Sequence, residues 1–184
     1  MKKSYSNKFG FTLVEMTVSL GLFTLIMFIA TSSFLSVVNV DRKSRAVRIA
    51  ADNLNVALED MSRRIKTGTS YWCGAGGEAL LATQDCIAGG VSTFFFTNQD
   101  GLRVKYSLDG ATNAIMRSVG AEPMIQATSP EISVTKLDFL VSGASSSDTK
   151  QPIAVISIEG GLGDGVASTT FKIQTTVTQR AYDK

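Results

Sequence analysis

The sequence predicts an α+β chain: one long N-terminal helix packed on an antiparallel β-sheet head. Three observations predict it. Met16 to Val40 is a run of 25 residues without a charged side chain, longer than the roughly 20 apolar residues a helix needs to cross a bilayer. Apolar residues then recur at Val47, Ala50 or Ala51, Leu54, Leu58, Met61 and Ile65, the steps of three and four that mark one face of a helix. From residue 91 the apolar period becomes two and turn dipeptides appear.

Residues 1–10, MKKSYSNKFG, are polar and basic, with Lys2, Lys3 and Lys8 and no acid. A secretory signal would place an apolar core and then a small-residue cleavage site after its basic part. Here Gly10 comes before the apolar run, so a cut at Gly10 keeps that run in the mature chain. The positive-inside tendency puts the leader in the cytoplasm and the rest outside.

Residues 11 to about 66 read as one helix. Residues 11–40 are apolar all round, as expected of a membrane span. From residue 41 charges cover the sides away from the stripe. Arg63, Arg64 and Lys66 suit the negative end of the helix dipole, and Gly68 suits a stop.

Residues 41–184 form the predicted head: the amphipathic helix to about 66, a glycine-punctuated loop over 67–90, and a β region over 91–180. Strands are expected at Val91–Thr97, Leu102–Leu108, Ala114–Val119, Ile132–Val141, Ile153–Ile158 and Thr169–Val177. Asn98-Gln99-Asp100-Gly101 and Asp109-Gly110 supply turns. The stretch Gly160 to Gly165 reads as a plain turn, since it has neither the lysine of a phosphate loop nor the repeated acids of a calcium loop. The core is expected where the helix stripe meets a sheet face. Tyr71-Trp72 is expected to pack on the helix end. Phe94-Phe95-Phe96 places aromatics on both sheet faces, which requires either a doubly covered sheet or a subunit contact.

Composition narrows function. Three of the 18 basic residues lie in the first ten positions, leaving 15 against 16 acids in the remainder. So neutral a body offers no electrostatic footprint for nucleic acid. The absence of histidine removes the commonest general base and metal ligand. The scattered acids give no facing carboxylate pair of the kind a glycan hydrolase needs. No catalytic residue, metal ligand or cofactor is therefore expected. Cys73 and Cys86 suggest one disulfide in an oxidising compartment, the alternative being two buried thiols.

The run Lys8-Phe9-Gly10-Phe11-Thr12-Leu13-Val14-Glu15-Met16 resembles the class III signal of type IV pilins and of the related pseudopilins of type II secretion. The resemblance is close over about the first 40 residues and extends loosely, as helix then sheet, over the rest. It implies a pilin-like fold and cleavage between Gly10 and Phe11 by a prepilin peptidase, with N-methylation of Phe11 by the same peptidase/methyltransferase. It implies single-pass insertion in the inner membrane, contact with a filament assembly platform, and assembly with other pilin or pseudopilin subunits into a cell-surface or periplasmic filament. Glu15 matches the family's assembly glutamate. A carboxylate in an apolar face is costly unless paired, and in a filament it can meet the amino terminus of a neighbour. The apolar helix lacks the proline of many major pilins, and the cysteines follow the helix rather than bracket a C-terminal loop. Both departures lean towards a minor pilin or a J-type pseudopilin-like subunit. The competing expectation is a membrane-anchored extracytoplasmic binding module that never polymerises.

Overall fold

A computed structural model describes residues 10–79, 83–145, 150–162 and 169–180. Helix α1 spans Leu13–Thr67. Nine strands follow: β1 Thr69–Cys73, β2 Cys86–Val91, β3 Thr93–Thr97, β4 Arg103–Asp109, β5 Ala114–Val119, β6 Ile125–Gln126, β7 Ile132–Ser142, β8 Ile153–Leu162 and β9 Thr169–Thr178. The chain divides into two compact units, Met1–Ser44 and Arg45–Lys184.

In the first unit the described residues from Leu13 on are all helical and the apolar side chains are solvent-exposed. The hydroxyls in this run satisfy themselves locally. Thr17 donates to the Val14 carbonyl, Thr24 to Gly21 and Thr31 to Met27, at 2.8–2.9 Å. Such back-bonding lets threonine sit in an apolar helix without an unpaired donor. Among the described residues this is the one helix long and apolar enough to cross a membrane.

In the second unit the helix stripe is buried as its period predicts: Ala50, Leu54, Leu58, Met61 and Ile65 are all 8% exposed or less. The strands form two antiparallel sheets rather than the single sheet of five or six strands expected. The order is β1-β3-β4-β5-β6 in one and β2-β7-β8-β9 in the other. One core joins the helix stripe to both sheets. Phe94 of β3 stacks on Phe139 of β7 with centroids 5.2 Å apart, an aromatic link between the sheets.

Several boundaries differ from the sequence reading, each for a physical reason. The expected loop over 67–90 contains β1 and β2. β1 is irregular at Ser70, with φ 53°, and then turns Tyr71 and Cys73 inward. In β2, Gly89 and Gly90 take φ of 82° and 60°, so the glycines bend a strand instead of ending it. β8 runs through Gly160 and Gly161 to Leu162. A Cβ on Gly160 would lie 2.4 Å from the Ser133 carbonyl, so that glycine permits close strand approach rather than a turn. Residues 163–165 lie outside the described residues. The connection before β7 also holds the short strand β6.

All three residues of Phe94-Phe95-Phe96 are buried, at 3% exposure or less. Phe95 faces away from the inter-sheet core, and the loop after β1 and two basic side chains cover it. Trp72 and Gly77 lie against it, and Arg103 and Lys105 sit 5.8 and 5.5 Å from its ring centroid. The doubly covered sheet is the alternative realised. Tyr71 does cap the helix end, its hydroxyl donating to the Ile65 carbonyl at 2.6 Å. The Trp72 indole donates to the Ala75 carbonyl in its own loop.

Candidate functional site: the N-terminal segment and the disulfide

Gly10 and Phe11 precede the helix and are exposed, Phe11 at 79%. Helix α1 begins at the next turn because Thr12 and Glu15 cap each other. The Glu15 amide donates to Thr12 Oγ1 at 3.2 Å, and the Thr12 amide reaches back to Glu15 Oε2 at 3.5 Å. This is a capping box, Thr-x-x-Glu, which satisfies two of the amides that a helix start leaves without partners. The carboxylate also lies where the helix dipole favours negative charge. The Thr-x-x-Glu spacing is the sequence signal for this cap.

The geometry brings Gly10, Phe11, Thr12 and Glu15 together at one helix start. A glycine, without a side chain, stands ahead of an exposed phenylalanine. Four residues after Phe11 lies Glu15, the one carboxylate before Asp41. From Leu13 to Val40 the large apolar side chains present themselves on every side of the helix. Such a surface is stable in lipid or against other apolar helices, and not in water.

Cys73 and Cys86 form a disulfide with Cα atoms 5.8 Å apart. The bond joins the edge strand β1 of one sheet to the edge strand β2 of the other. Cys73 is buried, at 1% exposure, and lies on β1 rather than in the glycine-punctuated loop expected over 67–90. Both sulfurs lie against the Phe139 carbonyl oxygen, at 3.5 and 3.3 Å.

Asp60 and Arg103 of the head are occupied structurally. Asp60 takes Arg64 at 2.8 Å and Arg117 at 3.1 Å. Arg103 donates to the carbonyls of Gly77 and Ser70, both at 2.6 Å, and burial pushes its guanidinium down to about 10. Among the described residues no group of three or more Cys, Asp or Glu is placed to hold a metal ion.

The family model for the prokaryotic N-terminal methylation motif matches residues 5–31. No curated protein and no solved structure matches the chain. The match covers Gly10, Phe11, Thr12 and Glu15 and the first part of the apolar helix. Beside a pilin-like α+β architecture, the match identifies residues 5–31 as the prokaryotic N-terminal methylation motif, the class III signal of type IV pilins.

Proposed function

We propose that this chain is a structural subunit of a type IV pilus-like filament, in the role of a minor pilin or pseudopilin. Prepilin peptidase cuts after Gly10, the new N-terminus at Phe11 is methylated, and the subunit leaves the inner membrane by packing its helix into the filament. The leader is cytoplasmic and the head extracytoplasmic. The observation that carries this reading is the pairing of an uninterrupted apolar helix surface with one carboxylate, Glu15, at its start.

In the precursor, Glu15 is held by Thr12. Moving an ionised carboxylate into an apolar bundle without a partner costs about 2.5–3.5 kcal/mol or more. Cleavage creates a positive amine at Phe11. In a bundle, the amine of one subunit and Glu15 of another can neutralise each other, and only at one axial offset. Charge pairing then sets register, while apolar contact supplies adhesion.

Glu15→Gln separates this reading from an anchored binding module. The account expects processing at Gly10 to continue and the amount of this chain in sheared filaments to fall sharply. Unchanged recovery in filaments, or no filament-associated chain even with native Glu15, would favour the module.

A further inference from the structure

The pairing of β4, β5 and β6 sets three side chains in one row: Tyr106 stands opposite Arg117, and Arg117 opposite Ile125. Directly opposed residues share a face of the sheet, and this face is turned towards α1. Asn53, Val56, Ala57 and Asp60 meet it from the helix, at the steps of three and four that mark one side. Asp60 ties the two elements together by accepting from Arg117 Nη1 at 3.1 Å. Between the row and the helix side lies an open-mouthed cavity of about 340 Å³, the size of a small-molecule site. All of its lining belongs to the second unit.

The lining is chemically divided. Val56 and Ile125 are 68% and 50% exposed and make an apolar rim, whereas Tyr106 is 1% exposed and lies at the floor. Among the described residues neither the Tyr106 hydroxyl nor Arg117 Nε has a hydrogen-bond partner, although both atoms are buried. A buried donor without an acceptor destabilises a fold, and folds seldom keep one. Both groups have a proton to donate. Burial, the largest influence, pushes the Tyr106 hydroxyl above the ordinary tyrosine value, so it stays protonated; an arginine Nε always carries its proton. The ion pairs bordering the cavity set two cations, Arg64 and Arg117, against one carboxylate, Asp60. Glu131, exposed, is engaged by the Ser129 hydroxyl.

We propose that this cavity binds a small organic carboxylate with a compact apolar body. Its oxygens accept from the Tyr106 hydroxyl and Arg117 Nε, its charge balances the unmatched cation, and its body lies against Val56, Ala57 and Ile125. Hydrogen bonds to an ionised acceptor are stronger than neutral ones, so the acid is preferred over an uncharged molecule of the same shape. Binding here needs only the fold of the head and does not depend on the filament reading.

Titration of the full-length chain in non-ionic detergent micelles with phenylacetate, and separately with isovalerate, tests this through the arginine Nε–H resonances. Arg117→Lys identifies the Arg117 signal by its loss. In the wild-type chain that signal should move saturably, with a midpoint of about 1 mM or below. Phenylacetamide, the same shape without the charge, should bind at least about 10-fold more weakly than phenylacetate. Tyr106→Phe removes only the hydroxyl. It should keep or raise the thermal midpoint, because no bond within the fold is lost, and weaken phenylacetate by about 10-fold or more. No saturable movement of the Arg117 signal by about 20 mM of either acid overturns the proposal. Equal binding of acid and amide overturns the carboxylate assignment, and unchanged affinity in Tyr106→Phe overturns the part given to the hydroxyl. A lowered thermal midpoint in Tyr106→Phe means that the hydroxyl bonds within the fold, and that too overturns its part in binding.

Discussion

Removing the Cys73–Cys86 bond takes away the covalent tie between the edges of the two sheets. The bond spans 13 positions. In the chain-entropy treatment, a closed loop of this size restricts the unfolded chain by about 10 cal/mol/K, or about 3 kcal/mol near 25 °C. The suitable variant is the double substitution Cys73→Ala with Cys86→Ala, because serine would place a hydroxyl at the buried position 73. The native contacts of the intervening segment persist without the bond. Asp85 accepts the amides of Gly143 and Ala144 at 3.1 and 2.8 Å, and Arg103 holds the Gly77 carbonyl. The loss should therefore appear in stability rather than in fold. Urea unfolding of the fragment Arg45–Lys184, followed by circular dichroism, measures it. With a slope of about 2 kcal/mol per molar, the midpoint should fall by about 1.5 M with little change in slope. Dithiothreitol should lower the native fragment's midpoint similarly and leave the variant unmoved. A midpoint shift below about 0.3 M would refute the entropic reasoning.

Three further outcomes follow from the head. Leu54→Ala, at a position 1% exposed, should cost about 2–5 kcal/mol in the same urea assay, whereas Val56→Ala, 68% exposed on the same helix, should stay within about 0.5 kcal/mol. Gly68→Ala places a Cβ 2.3 Å from Phe96 Cδ2, and that ring is fully buried, so the substitution should cost about 1–3 kcal/mol. The hydrogen bond from Lys172, with its charge, holds the Glu159 carboxyl below the ordinary carboxylate value. A folded-state value lowered in this way contributes stability above the ordinary value, and that stability is lost as pH falls through the lowered one. Lys172→Met should return the Glu159 midpoint, followed by carboxyl NMR, towards the ordinary value.

The parts of the fold that were legible in the sequence are those where periodicity had one solution. Ala50, Leu54, Leu58, Met61 and Ile65 share a face at helical steps, and no other element competes for them. The hairpin from β4 to β5 announces itself through Asp109-Gly110 between two alternating runs. Where glycine carries two meanings, the sequence misleads. Gly89 and Gly90 bend β2, and Gly160 lets β8 meet Ser133 and Phe171, yet in one dimension all three look like loop residues. The division into two sheets was also hidden. It depends on β2 pairing with β7 across a separation of some 50 residues, which no local pattern reports. At the N-terminal segment the motif was legible directly, because a glycine, a phenylalanine and one carboxylate ahead of a charge-free run have few joint uses. That Glu15 also caps the helix with Thr12 follows from their spacing rather than from the motif.

The central claim concerns what happens between Gly10 and Phe11. The most direct test is the intact mass and N-terminal residue of the protein purified from its own membranes or filaments. The account predicts a chain that begins at Phe11, one methyl group heavier than the unmodified sequence from that residue. A chain that still carries residues 1–10, or one cut beyond residue 30, would contradict it.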